Sequence, residues 1–85
     1  MSRMERIARA GVEPGRYRHF KGQCYRVLGV VRHSETLEEL VLYRALYKNR
    51  MSALWVRPKE MFLGTVTVDG RRIPRFRKMV KGERA

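Results

Sequence analysis

The segment that most constrains the fold is residues 65–73, which read TVTVDGRRI. Asp69-Gly70 separates two short β-forming stretches, and an Asp-Gly pair supplies the positive φ angles of a type I′ turn. The segment therefore predicts a tight β-hairpin. Pro74 follows it and predicts a strand end or a sheet edge, because proline cannot donate to a backbone ladder.

Short alternating segments bounded by turn residues precede the hairpin. Residues 15–20, 25–32 and 53–57 read as strands, and Gly29 predicts a bulge or a sharp bend in the second of them. Simple alternation assigns four residues of this second strand to one face: Tyr25, Val27, Gly29 and Val31. Residues 58–62 then predict a single helical turn, with proline at its favoured first position.

Two segments have helical features. Residues 36–47 contain a capping-box match and helical apolar spacing, but residues 40–47 alternate faces and hold two tyrosines and a valine, as strands prefer. We interpret this segment as a strand. At the N-terminus, Ser2 and Glu5 form another capping-box match, which predicts a short helix or flexible arm over residues 1–13.

The fold class predicted from these segments is mostly β. About five strands and one helical turn describe a small curled antiparallel sheet or an SH3-like barrel. The predicted organisation is an N-terminal short helix or arm (1–13), a β domain (14–78) and a basic flexible tail (79–85).

The composition limits the class of protein. A chain of 85 residues supports one small domain, and no apolar stretch approaches the roughly 20 residues that span a bilayer. The first residues lack the continuous apolar region of a signal peptide, and Cys24 is the only cysteine, so an intrachain disulfide is excluded. A cytoplasmic location without membrane contact is the simplest expectation.

The net charge is +12, and it is not confined to the ends of the chain. Residues 1–13 carry +1 and residues 77–85 carry +3, which leaves +8 on residues 14–76. Such a basic domain attracts anionic partners and speeds their arrival, although a basic surface can also serve only solubility.

Four blocks of the chain resemble the DUF1653 family, a bacterial and phage domain of unknown function: GRYRHFKG, YRVLGVVRHSETLEELVLYRALY, LWVRPKEMF and VDGRRIPRF. The resemblance covers about residues 14–78. It implies a small, mostly β domain that occurs alone or attached to other proteins, and it implies no established activity. This chain differs from the usual family pattern in its surplus of arginine and in a longer turn at residues 48–52.

Catalytic and metal sites are weakly indicated. His33 and Ser34 are adjacent, but adjacent residues usually point apart, and no Gly-x-Ser-x-Gly elbow is present. His19, His33 and Cys24 lack the paired spacing of zinc ligands. No catalytic residue, metal or cofactor is predicted.

Aromatic and arginine residues interleave along the strands, and this is the best indication of a site. Arginine is a planar donor for phosphate, while aromatic faces stack bases. Several polar blocks also fall at strand ends, which can gather at one pole of a small barrel. The candidate ligand-binding residues are Tyr17, Arg18, His19, His33, Ser34, Glu35, Thr36, Tyr43, Trp55, Arg57 and Arg75. Trp55, Phe62 and Phe76 are interpreted first as core residues, whereas the tyrosines can serve either the core or a site. The His33–Thr36 cluster is interpreted as a turn first and as a binding turn second.

The leading functional hypothesis is a non-catalytic binding module for an anionic partner, either nucleic acid or a nucleotide-like ligand. The second is a protein-interaction module that docks a peptide along an exposed strand edge. The third is an enzyme on a small ligand that uses His33 or His19 as a base.

Overall fold

The computed structural model describes residues 11–48 and 51–84, and strands dominate this part of the chain. Its elements in chain order are β1 (Gly15–His19), β2 (Cys24–Arg32), β3 (Glu39–Ala45), β4 (Leu54–Pro58), α1 (Lys59–Phe62), β5 (Thr65–Val68), β6 (Arg71–Pro74) and β7 (Phe76–Lys78). The predicted mostly β class is confirmed. Within the described residues, no helix is long and apolar enough to cross a membrane.

The strands form two antiparallel sheets. Five strands pair in the order β4-β3-β2-β1-β7, and β5 pairs with β6 as a separate hairpin. In the described part of the chain no ladder joins β4 to β7, so the larger sheet is open and the predicted SH3-like barrel is not confirmed. Residues 1–10 of the predicted N-terminal helix lie outside the described residues, and residues 11–14 form no helix.

The predicted irregularity at Gly29 is present. The register of β2 against β3 shifts between Val27, which faces Tyr43, and Gly29, which faces Leu42. One extra residue in a strand moves every later side chain to the opposite face. For this reason Val30 packs against the core, and the prediction that Val31 shares a face with Val27 was wrong: Val31 is 39% exposed.

The ambiguous segment after residue 36 forms a turn and then β3. Its strand assignment is confirmed, because Glu39–Ala45 pairs with β2 on one side and with β4 on the other. The capping-box match at Thr36 did not start a helix. The next residue, Leu37, adopts a φ of 64°, which is incompatible with a right-handed helix. The alternation of buried Val41 and Tyr43 then fits a strand with one face on the core.

The Asp69-Gly70 hairpin forms as predicted. Asp69 has a φ of 51° and Gly70 a φ of 75°, the sign that a type I′ turn requires at both positions. The strand β7 was not predicted. It has only three residues, too few for a readable alternation, and it forms because Arg75 bends the chain after Pro74 and brings Phe76 opposite His19 of β1.

The core lies on one face of the five-stranded sheet. Seven side chains compose it: Val12, Tyr17, Val27, Val41, Tyr43, Phe62 and Phe76. The helical turn α1 places Phe62 over this face, with its ring stacked on Phe76 at a centroid distance of 4.2 Å. The other face carries the arginines that alternate with these core residues along the strands.

Candidate functional site

A cluster of rings forms the floor of the candidate site, and Phe76 is at its centre. The Phe76 ring stacks on Phe62, and the His19 ring meets Phe76 edge-on at 4.9 Å between centroids. The guanidinium carbon of Arg57 lies over Phe76, 5.5 Å from the ring centroid, within the range of a cation–π contact. Both a histidine and an arginine are therefore held against the same buried phenylalanine.

Arg57 reaches this floor because of its position on β4. It lies opposite Val41 of β3, on the face that carries the core, and not on the face that carries most other arginines. Its Nε donates a hydrogen bond to the hydroxyl oxygen of Tyr43 at 3.3 Å. The strand register and this hydrogen bond together fix the direction of the guanidinium group.

Arg75 is fixed by its main chain at the bend between β6 and β7. Its N–H donates to the carbonyl oxygen of Gly64 at 3.0 Å, and its carbonyl oxygen accepts the N–H of Phe20 at 2.9 Å. The guanidinium carbon lies 6.0 Å from the centroid of the Phe20 ring. The Nε atom of Arg75 is buried and has no hydrogen-bond partner among the described residues.

His19 ends β1, and both arginines act on its ring electrostatically. Its Nδ1 accepts the N–H of Lys21 at 3.2 Å, so in the neutral ring the proton is on Nε2. Partial burial lowers the pKa of His19 below its ordinary value, and the positive charges of Arg57, Arg75 and Lys21 lower it further. The protonation of the imidazole therefore depends on the charges of both arginines.

We call His19, Arg57 and Arg75 the cationic cluster. The ring contacts above place each guanidinium carbon within about 10 Å of the His19 ring centre. Charges in 0.1 M salt interact over about the same distance before they are screened. The ion pairs of the described residues involve Arg18, Lys59, Arg77 and Lys78. No carboxylate of this part of the chain lies within 4.0 Å of a nitrogen of Arg57 or Arg75.

Further aromatic residues continue the floor away from the cluster. Tyr25 lies 5.1 Å from Tyr43 and 5.8 Å from Phe76 between ring centroids, and its hydroxyl is hydrogen-bonded to that of Tyr47 at 2.9 Å. Burial, and then the hydrogen bond with Tyr47, raise the pKa of Tyr25 above its ordinary value. Trp55 is half-buried opposite Tyr43, and its Nε1 donates to the carbonyl oxygen of Ser52 at 3.1 Å.

A cavity of about 330 Å³ adjoins the cluster and is lined in part by His19 and Phe20. It lies between the end of β1 and the hairpin, and Ile73 and Pro74 contribute apolar surface to it. Arg18 and Arg77 line it, whereas Arg57 and Arg75 do not, so the cavity and the cationic cluster are neighbouring features that share His19.

Two other predicted residues lie elsewhere. Tyr17 belongs to the core, where its hydroxyl donates to the carbonyl oxygen of Glu13 at 2.9 Å; burial is the main cause that raises its pKa. Arg18 points to the opposite face of the sheet, where its Nε meets the Glu83 carboxylate at 3.1 Å. The structure does not bring either side chain to the cationic cluster.

The His33–Thr36 cluster forms a turn that satisfies its own hydrogen bonds. The Nδ1 of His33 accepts the N–H groups of Glu35 and Thr36 at 3.1 and 3.2 Å, and the Thr36 hydroxyl accepts the N–H of Glu38 at 3.2 Å. Ser34 and Glu35 are exposed. The turn follows the far end of β2, about 30 Å of strand length from the end next to His19. The predicted strand-end blocks therefore do not all converge.

Sequence reasoning missed part of the site. Phe20 and Lys21 border the cluster, but Lys21-Gly22 reads only as a turn, and the sequence gives no sign that Phe20 faces an arginine 55 positions later. Phe76 was assigned to the core, which is confirmed by its 7% exposure. Its second role as the support of His19 and Arg57 depends on the unpredicted strand β7.

Metal binding has no structural support in the described part of the chain, which contains no group of three His, Cys, Asp or Glu side chains able to hold an ion. Cys24 is buried, and its thiol is free.

The comparisons with known proteins agree with this architecture. The family model described as "Protein of unknown function (DUF1653)" matches residues 15–78. The chain belongs to the DUF1653 family. A crystal structure of a DUF1653 protein from Bordetella bronchiseptica is similar to this DUF1653 domain, with 35% sequence identity and a TM-score of 0.76 over 85% of this chain and 95% of the other. No curated protein matches the chain. The family resemblance seen in the sequence is confirmed.

Proposed function

We propose that this DUF1653 domain is a non-catalytic binding module for a nucleotide-like ligand, whose phosphate is held by the cationic cluster. The observation that carries the proposal is the convergence of Arg57, Arg75 and His19 without a neighbouring carboxylate in the described residues. The positive charges of both arginines disfavour the protonated form of the His19 ring, and a phosphate bound there offsets this effect while accepting hydrogen bonds from the cluster.

The donors of the cluster suit phosphate better than a carboxylate alone. Arg57 and Arg75 make no ion pair with a carboxylate of the described residues, so their guanidinium groups remain to donate to a ligand. The Nε2–H of neutral His19 adds a further donor. A tetrahedral oxyanion offers several acceptor oxygens, enough for donors that approach from different strands.

The adjoining cavity supports the nucleotide-like part of the proposal. Its volume of about 330 Å³ is at the lower end of the range for small-molecule sites. His19 belongs to both the cationic cluster and the cavity. A ligand whose phosphate binds at the cluster therefore places its base beside the apolar surface of Phe20, Ile73 and Pro74.

The test is a titration with fluorescently labelled nucleoside 5′-monophosphates at two salt concentrations. Arg57→Gln and Arg75→Gln each remove a charged donor, and each is expected to weaken binding by about 10-fold or more. Arg71→Gln is the matched control, because Arg71 is exposed on the separate β5–β6 hairpin and lines neither the cationic cluster nor the cavity. A weakening of equal size in all three variants would reject the cationic cluster as the site.

An interaction role has one specific observation in its favour. Strand β4 is an edge of the five-stranded sheet, and Leu54 and Val56 on it are 51% and 52% exposed. Exposed apolar edge strands can accept a peptide strand. Val56→Lys should abolish the binding of such a peptide and leave nucleotide binding unchanged; a nuclease-treated pull-down followed by mass spectrometry compares the two proteins.

A further inference from the structure

The face of the five-stranded sheet opposite the core carries a row of arginines. Arg16 of β1 lies opposite Arg26 of β2, and Arg26 lies opposite Arg44 of β3. Adjacent strands are about 4.8 Å apart, so the three side chains leave the sheet along one line about 10 Å long. Like charges directly opposite one another destabilise a sheet, which means that stability alone does not favour this arrangement.

A second pair of arginines lies beside this row. Arg18 of β1 is opposite Arg77 of β7, and the Glu83 carboxylate bridges them. Its Oε2 is 3.1 Å from Nε of Arg18 and 2.6 Å from a terminal nitrogen of Arg77, whose other terminal nitrogen is 3.0 Å from Oε1. The carbonyl oxygen of Glu83 also accepts a hydrogen bond from Arg16 at 3.1 Å.

The C-terminal residues fold back to make these contacts. The buried side chain of Met79 and its N–H, which donates to the carbonyl oxygen of Arg16, fix the start of the segment. The N–H of Val80 donates to Oε1 of Glu83 at 3.1 Å. Hydrogen bonds from Arg77, and then from the Val80 amide, lower the pKa of the Glu83 carboxyl to about 2, so it is an anion at neutral pH.

We call Arg16, Arg18, Arg26, Arg44 and Arg77 the arginine face. Arg26 and Arg44 are exposed, and no carboxylate of the described residues lies within 4.0 Å of their nitrogens. On β1 to β4 and β7, this face carries no aromatic side chain on which a base could stack. Its cations are all arginine, the residue whose planar fork fits phosphate oxygens in pairs.

We propose that the arginine face binds the phosphate backbone of a nucleic acid independently of base sequence, and that Glu83 holds two of its arginines in the free chain until the nucleic acid displaces it. The bidentate contact between Glu83 and Arg77 is the geometry that a phosphate would take over. No residue of the cationic cluster takes part, although Arg18 and Arg77 also line the cavity beside His19. The two proposals are told apart by separate substitutions, at Arg57 and Arg75 for the nucleotide-like ligand and at Arg26 and Arg44 for the nucleic acid.

The first test measures binding of a fluorescent 20-base-pair DNA duplex across a range of salt concentrations. Replacing Arg26 and Arg44 by glutamine should flatten the slope of log K against log salt by about 1.8, the value for two lost phosphate contacts. Replacing Arg71 and Arg72 by glutamine is the matched control, because both are exposed on the separate hairpin. An equal change of slope in both double variants would overturn the proposal.

The second test addresses the role of Glu83. Glu83→Gln is expected to tighten duplex binding roughly 10-fold at low salt, because two more arginines become available. Glu38→Gln changes the net charge equally at the exposed far turn and should change affinity less than 2-fold. Equal effects of the two substitutions would show that only net charge matters and would reject the displacement.

Hydrogen exchange gives a readout that does not depend on substitution. The Val80 amide, protected by Glu83 in the free chain, should exchange faster when duplex DNA is bound. Unchanged or increased protection would contradict displacement. The apolar residues Leu54 and Val56 on the same face make a lipid surface the alternative partner, so binding to anionic vesicles without binding to DNA would overturn the nucleic-acid assignment.

Discussion

Phe62→Ala should remove a large part of the stability of this domain. Phe62 is 1% exposed, and its ring contacts Phe76, Tyr17 and Tyr43 at centroid distances of 4.2, 5.4 and 5.8 Å. Truncation of a buried phenylalanine to alanine costs about 3–5 kcal/mol. A domain of this length has a total unfolding free energy of about 4–13 kcal/mol, so the loss is a large fraction of the whole.

Urea denaturation, followed by Trp55 fluorescence and by circular dichroism, measures this loss. Met61→Ala is the matched control, because Met61 is the preceding residue of the same helical turn and is 49% exposed; its effect should stay within about 0.5 kcal/mol. Phe62→Leu refills part of the space and should cost less than Phe62→Ala. A loss below about 1 kcal/mol for Phe62→Ala, with an unchanged m-value, would refute the central place of this ring.

Three further predictions concern single contacts. Tyr43→Phe removes the acceptor for Nε of Arg57 and should weaken nucleotide binding about 3- to 10-fold with a small change in stability, as titration and urea curves will show. Gly70→Ala places a Cβ at a φ of +75° and should lower the unfolding free energy by about 1–2 kcal/mol in urea denaturation. His33→Ala leaves two turn amides without their acceptor, so it should reduce the melting temperature while the nucleotide dissociation constant stays the same.

Local patterns predicted most of the strands because they carry their own backbone chemistry. Asp69-Gly70 requires positive φ angles, and residues 40–47 alternate faces and hold two tyrosines and a valine, as strands prefer. The sequence did not indicate that a strand near the C-terminus pairs with the first strand of the sheet. Strand β7 pairs with β1 across almost the whole chain, and no local signal records a pairing between Phe76 and His19.

The sequence predicted some residues of the candidate site but not the directions of their side chains. Arg57 and Arg75 were predicted as ligand-binding residues in blocks at strand ends, but their direction depends on strand register and on the bend at residue 75. The prediction also assumed that polar strand ends gather at one pole. The nine-residue strand β2 carries the His33 turn far beyond the end of β1, so this assumption was wrong for residues 33–36.

The arginines divide between two faces, which the single net charge of +12 does not show. Arg57 joins the aromatic floor, whereas Arg16, Arg26 and Arg44 line the opposite face. The division of the arginines between the two faces follows from the alternation of side chains along each strand. The β-bulge in β2 does not change the face of Arg26, because it falls between residues 27 and 29. Two separate anionic ligands, one small and one polymeric, are consistent with this arrangement.

The most direct test of the binding proposal is an NMR titration of His19 between pH 5 and 8, with and without a dinucleoside monophosphate whose phosphodiester keeps its charge over this range. In the free protein, burial and the two arginines hold the pKa of His19 below 6.5. A phosphate bound at the cluster would neutralise that field and raise the pKa of His19, so affinity should increase as the pH falls through the bound-state pKa and level off below the free-state pKa. An identical His19 titration curve with and without the bound ligand would contradict the proposed site.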